Sequence, residues 1–205
     1  GIASTASFYV GHHMSTIEGG MVCTDDEEMH DMLLMVRSHG WDRNLDPGKK
    51  IHLKNQNNID DFHSGYAFYS LGYNIRPTEI TAFIGLEQLD YIDEINKIRN
   101  KNFKDFDKAA QSNTRLQKLN LSHMNFASNF AYPLIFEDKE SFEEYKKKFK
   151  DNAVEIRPIV GGSIVEQPFF KDYLKKNKLY FDCPNARKIH KFGFYIPNNP
   201  ELTKE

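Results

Sequence analysis

The chain has 205 residues, 40% hydrophobic and 13% aromatic, with 27 basic against 29 acidic side chains and a formal net charge of -2. That is enough chain for a real core and too much apolar content for disorder, and no apolar run is long enough to span a bilayer. Near-neutral charge, with Lys146-Lys147-Lys148 as the only dense basic run, argues against a binder of nucleic-acid backbones, and the two cysteines, Cys23 and Cys183, offer neither a disulfide framework nor a CxxC metal site.

Along the chain, Ser7-Phe8-Tyr9-Val10 reads as a strand, followed by a polar loop, the Gly19-Gly20 pair and a second strand, Met21-Val22-Cys23-Thr24. Thr24-Asp25-Asp26-Glu27 has the spacing of a capping box, and Met29, Met32, Leu33 and Val36 then mark one face of a helix that Gly40 ends. Strand, loop, strand, helix is α/β grammar. Residues 40 to 60 are polar, with Asp46-Pro47-Gly48 as a turn signal, and read as a long surface loop. Pro77 suits a first helical position, and residues 78 to about 110 read as helix; such a length predicts a bend or break near the middle.

A second unit begins near Ser112, so the expected division is an α/β piece over 1–111 and an α+β piece over 112–205. Within it, Phe130 to Phe136 reads as a strand, with Pro133 pointing to an edge or a bulge. Phe142, Tyr145 and Phe149 mark an amphipathic helix whose solvent face carries the lysine run. Val154-Glu155-Ile156 reads as a further strand, a Gly- and Pro-marked stretch continues to Phe170, and a helix is expected around Pro184 to Lys191. The closing residues, Ile196 to Glu205, read as the approach to another helix.

The densest group of chemistry-bearing residues is the run from Ser7 to Gly20, with His12 and His13 adjacent. Neither HExxH nor a Cys/His cluster is present, which leaves no local metal site, and no GxSxG elbow supports a hydrolase.

Ser7-Phe8, Glu18-Gly19-Gly20 and the strand after them resemble the cofactor-lysine region of the DegT/DnrJ/StrS sugar aminotransferases, a branch of the fold-type I pyridoxal phosphate enzymes. Gly72-Tyr73-Asn74-Ile75-Arg76 and Gly85-Leu86-Glu87-Gln88-Leu89 resemble a second motif of that family, and Glu155-Ile156-Arg157-Pro158 and Tyr195-Ile196-Pro197-Asn198 continue the likeness more loosely. The resemblance implies the C-terminal part of a three-layer αβα large domain followed by a small α+β domain. It also implies pyridoxal or pyridoxamine 5'-phosphate as cofactor, and a homodimer with shared active sites.

The family's Schiff-base lysine position is occupied by His12, and no lysine occurs before Lys49. An imidazole has no primary amine to condense with the cofactor aldehyde, but it can act as a general base. Histidine at this place resembles the family's deoxysugar 3-dehydratases. The branch with an iron–sulfur cluster needs cysteines that Ser38-His39-Gly40-Trp41-Asp42-Arg43 lacks. The likeness therefore favours the cluster-free branch, which acts on a GDP-linked 4-keto-6-deoxy sugar in deoxysugar and O-antigen lipopolysaccharide biosynthesis.

By that resemblance His12 is the catalytic base that serves removal of the C3 hydroxyl, with L-glutamate restoring the amine form of the cofactor. Ser7 and Asn74 match residues that hold the cofactor phosphate, Asn74 from the neighbouring subunit. Arg76, His39, Arg43 and Arg157 are expected substrate or glutamate contacts; ion pairing at the surface or between domains is the competing expectation for His39, Arg43 and Arg157. Two other readings stay open: an aminotransferase-like enzyme for another nucleotide sugar, and a catalytically silent paralogue serving as a binding subunit. The family places its cofactor lysine near the middle of a chain almost twice this long. This sequence is accordingly expected to be a fragment, inactive in isolation, from a cytoplasmic protein.

Overall fold

The computed structural model describes residues 1–202, and the chain divides into two compact units between Asp90 and Tyr91. The first unit opens with an antiparallel pair, β1 (Ala3–Ser7) and β2 (Gly20–Thr24), in which Ala3 lies opposite Thr24 and Ser7 opposite Gly20. The first strand thus ends where the predicted one begins. The small and β-branched residues Ala3 to Ser7 find partners in β2, while the chain beyond Ser7 turns, with the His12 amide donating to the Tyr9 carbonyl at 3.1 Å.

Helix α1 (Glu27–Val36) is capped by Asp26, whose Oδ1 accepts from the Met29 amide at 2.8 Å, and not by the expected Thr24–Glu27 box. The Thr24 hydroxyl is committed elsewhere: it accepts from the Asp26 amide at 3.1 Å and donates to the Ile2 carbonyl at 2.8 Å. Gly40 closes the helix with φ +84°, its amide returning to the Met35 carbonyl at 2.8 Å. A side chain there would collide with the Ser70 carbonyl, so the close approach of the two segments requires glycine.

The segment expected to be a loop contains helix α2 (Pro47–Gln56). Asp46-Pro47-Gly48 is its N-terminus, with Pro47 at the first helical position and Asp46 Oδ1 accepting from the Gly48 amide at 2.8 Å. Polarity hid this helix. It is tied to α1 by Lys49, which pairs with Glu27 and Asp31 at 2.5 Å each. A single turn, α3 (Asp61–Ser64), precedes α4 (Glu79–Leu89), which is capped by Thr78 in a reciprocal box with Thr81. Pro77 therefore stands outside the cap and not inside the helix.

The expected mid-helix break falls at Asp90-Tyr91, and α5 (Ile92–Gln111) runs on in the second unit. The units therefore divide ahead of the expected boundary at Gln111, because α5 buries Phe103 in the second unit's core. That unit contains β3 (Ala131–Ile135), α6 (Lys139–Asp151), β4 (Arg157–Pro158), a 3-10 turn at Ile164–Glu166, α7 (Pro168–Asn177), α8 (Pro184–Phe192) and β5 (Gly193–Pro197). Its sheet has the order β3-β5-β4, every pair antiparallel, which puts Pro133 on an edge strand where a missing amide is tolerated.

The strand predicted at Val154–Ile156 lies later, at Arg157-Pro158, because Val154 is still engaged in closing α6, its amide bonded to the Phe149 carbonyl at 2.9 Å. Helix α7 occupies part of the stretch expected to be irregular or undefined. The core gathers Phe103, Leu116, Tyr132, Leu134, Phe136 and Phe194, with Phe142, Tyr145 and Phe149 of α6 packed against it and Lys146 to Lys148 exposed. Of the closing segment, Ile196 and Pro197 belong to β5, and Thr203 to Glu205 lie outside the described residues.

Candidate functional site

The connection between β1 and β2 is a closed loop with His12 near its tip. At its base the Phe8 amide donates to the Gly19 carbonyl at 2.9 Å, and the Thr16 amide donates to the Phe8 carbonyl at 2.8 Å. Ser7, the last residue of β1, is exposed, its hydroxyl accepting from the Tyr9 amide at 3.4 Å. The His12 ring is half-buried and meets Tyr9 edge-on, with centroids 6.2 Å apart. The return leg is fastened to α4. The Ser15 amide donates to Gln88 Oε1 at 2.8 Å, and Gln88 Nε2 donates back to the Ser15 carbonyl. Thr16, 5% exposed, lies beside Gly85 with its hydroxyl donating to the Glu18 carbonyl at 2.9 Å.

The first recognised motif and the Gly85–Leu89 part of the second thus meet at one place. Sequence reading named the second motif but assigned nothing to Gln88, Gly85 or Thr16. The signal was available in part: a glutamine one helical turn after a glycine presents both to the same side of a helix.

A second group forms where the Gly72 to Arg76 segment runs against the end of α1. The His39 amide donates to the Tyr73 carbonyl at 2.8 Å, the Ile75 amide donates to the Arg37 carbonyl at 3.1 Å, and Asn74 stands opposite Ser38 in an antiparallel bridge. His39 has a left-handed backbone, φ 61°, and its ring lies 4.8 Å from that of Trp41. Arg43 stacks its guanidinium 3.8 Å over Trp41 and 5.2 Å from the ring of Tyr66, and donates to the Gly65 carbonyl at 3.1 Å. The structure therefore gathers His39, Arg43 and Asn74 around one pair of backbone segments, with the Arg43 cation held on an aromatic platform that includes Phe68 stacked on Trp41 at 5.5 Å. Arg76 is exposed.

Arg157 belongs to the second unit, on β4 opposite Tyr195. Its Nη2 lies 2.6 Å from Glu155 Oε1, and the hydrogen-bonded carboxylate pushes the guanidinium above its ordinary range. Both partners are exposed, so this is a surface ion pair within the second unit. Among the described residues no three His, Cys, Asp or Glu side chains converge in a way that could hold a metal ion.

Comparison with known proteins agrees with this arrangement of strand, loop and helices. A GDP-4-keto-6-deoxy-D-mannose 3-dehydratase from Yersinia pseudotuberculosis is 33% identical over 207 residues, covering 97% of this chain and 50% of the relative. A GDP-perosamine synthase from Escherichia coli O157:H7 is 27% identical over 205 residues, covering all of this chain and 49% of the relative. Among solved structures, the E. coli GDP-4-keto-6-deoxy-D-mannose-3-dehydratase with bound hydrated PLP superimposes with a TM-score of 0.76 at 27% identity, over 98% of this chain and 51% of that one. The chain spans about half the length of the relatives it matches. The model of the DegT/DnrJ/EryC1/StrS aminotransferase family matches residues 1–205, and the chain belongs to that family.

Proposed function

We propose that the polypeptide carrying this chain is a deoxysugar 3-dehydratase that uses pyridoxamine 5'-phosphate to remove the C3 hydroxyl of a nucleotide-linked 4-keto-6-deoxyhexose, with L-glutamate restoring the amine. GDP is the nucleotide favoured by the likeness to the Yersinia and E. coli 3-dehydratases. The observation that carries the reading is His12, an imidazole on a closed loop where the family places a lysine. An aminotransferase reading needs that amine, and the first lysine in the chain, Lys49, lies on α2 paired with Glu27 and Asp31.

The donor set suits a cofactor that works as an amine. The Ser7 hydroxyl stands exposed at the strand end, and the β1–β2 loop carries an imidazole and no primary amine; in this reading Asn74 supplies a carboxamide for the phosphate of the other copy in a homodimer. When bound, the pyridoxamine form supplies a primary amine for the sugar's C4 ketone and a ring system that accepts electrons from its methylene carbon. The work of the protein is then proton handling and orientation. A ring nitrogen of His12 takes a proton as general base and, as imidazolium, returns one to the departing C3 oxygen, so one group serves both steps. Ser7 and Asn74 hold the phosphate and fix the register of the reacting carbon against His12, and His39, Arg43 and Arg76 are assigned to the sugar nucleotide and to glutamate.

The test is His12→Lys in the polypeptide that carries this chain, assayed with pyridoxamine phosphate, the 4-keto sugar and glutamate. Wild type is expected to release ammonia and the 3-deoxy product. The variant is expected to retain cofactor and lose dehydration by more than a hundredfold, a loss in line with removal of a general base. Dehydration that persists in His12→Lys refutes the assignment.

A further inference from the structure

We propose that Gln88, with Gly85 beside it, is a positioning residue for His12: α4 holds the return leg of the β1–β2 loop and thereby sets where the imidazole stands. The inference rests on the dehydratase reading for its catalytic consequence, though not for the clamp itself.

Two sets of bonds hold the return leg of the loop. Its base is closed by backbone bonds, Phe8 amide to Gly19 carbonyl and Thr16 amide to Phe8 carbonyl. The Gln88 carboxamide holds the return leg: it engages Ser15 on both edges, accepting from the amide at 2.8 Å and donating to the carbonyl, as a neighbouring strand would. A carboxamide is suited to this because it has a donor and an acceptor in one plane, and glutamate or methionine can satisfy only one edge or neither. Ser15 and Gln88 are part-buried, so leaving both edges of Ser15 unpaired carries a desolvation cost.

One helical turn earlier, Gly85 provides the close approach. A Cβ there would stand 3.1 Å from Thr16 Cγ2, tighter than nine in ten real Cβ contacts, so alanine at 85 requires Thr16 to give by a few tenths of an ångström. Thr16 is buried and sits four residues from His12 along the same loop. Displacing it moves the tip, and catalytic proton transfer is sensitive to shifts of an ångström or less.

The test uses the whole polypeptide with cofactor bound. Gln88→Met keeps the side-chain length and removes both bonds; Gln88→Glu keeps the acceptor for the Ser15 amide and loses the donor; Gly85→Ala raises helix propensity while crowding Thr16. The expected result is a kcat loss of about 10- to 100-fold in Gln88→Met, a smaller loss in Gln88→Glu and a comparable loss in Gly85→Ala. The KM for the keto sugar should stay within about threefold and cofactor absorbance should be unchanged.

Gly85→Ala separates positioning from bulk stability, because its melting temperature is expected to hold or rise while kcat falls. Amide hydrogen exchange over residues 8–19 supplies a readout independent of turnover: protection at Ser15 should fall in Gln88→Met and be retained, in part, in Gln88→Glu. Wild-type kcat in both Gln88→Met and Gly85→Ala, or a KM rise with kcat unchanged, overturns the proposal. Unchanged exchange at Ser15 in Gln88→Met overturns the clamp. Absence of turnover in wild type overturns the dehydratase reading instead, and exchange still decides the clamp.

Discussion

Tyr132 illustrates how much a single buried side chain decides in the second unit. It is 1% exposed, packs edge-on against Phe103 at 5.0 Å, and donates its hydroxyl to Asp107 at 2.9 Å. Burial first, and the adjacent Asp107 carboxylate second, push the phenol above its ordinary 10.0. A group whose folded pKa is raised contributes stability that is complete below the unfolded value and lost as pH rises past it, so this phenol weakens the fold on the alkaline side of about pH 10. Tyr132→Phe should cost about 0.5–1.5 kcal/mol at neutral pH through the lost hydrogen bond and should flatten that alkaline decline. Urea titrations at pH 7 and pH 10.5 check both parts.

The proposed roles of Ser7, His12 and Asn74 rest on the family motifs around them. Gln88 carries no such role in the motif, because its partner Ser15 is distant along the chain. Arg157 shows the opposite limit: arginine in a family motif suggests anion binding, whereas its neighbour Glu155 gives the cation a partner of its own.

Among the elements, α5 is the best example of a pattern that sequence reading follows well. Ile92, Ile95, Ile98, Phe103 and Phe106 lie along a stripe, and Phe103, 2% exposed, is the point at which the helix enters the core. Phe103→Ala should destabilise the second unit by about 3–5 kcal/mol, the range for truncating a buried aromatic, and chemical denaturation would read it directly. A loss under 1 kcal/mol would mean that α5 does not belong to that core. Helix α2 is the converse. Its residues Lys49, Lys50, Lys54 and Gln56 present no apolar stripe, and the signals that define it, Asp46 as cap and Pro47 as first residue, are the same ones that mark a turn. What decides for helix is tertiary: Lys49 reaches two carboxylates on α1.

At the scale of the molecule the two units differ in how much apolar surface each keeps from water. The second encloses a continuous aromatic core. The first buries few large apolar side chains, Met35 and Leu45 among them, and leaves Phe62 88% and Leu71 96% exposed. Local stability follows buried apolar contact. Amide exchange of this chain in isolation should therefore be slow on β3 and β5 and faster, by about two orders of magnitude or more, on β1 and β2. Equal protection in the two sheets would contradict that ordering. So large an exposed apolar area also makes the first unit the part expected to associate with further polypeptide.

The sequence by itself determined the family, the break in the long helix and the edge position of Pro133. These depend on residue identity or on spacing within a few turns, which the chain carries locally. Tertiary structure decided which residue caps α1, that residues 47–56 are helical, where β4 lies, and that the two family motifs of the first unit are joined through Gln88 and Ser15. Each of these is settled by a partner distant in sequence. A hydrogen bond or ion pair of that kind has no periodicity to announce it, and it exists only once the backbone has brought the two groups within about 3 Å.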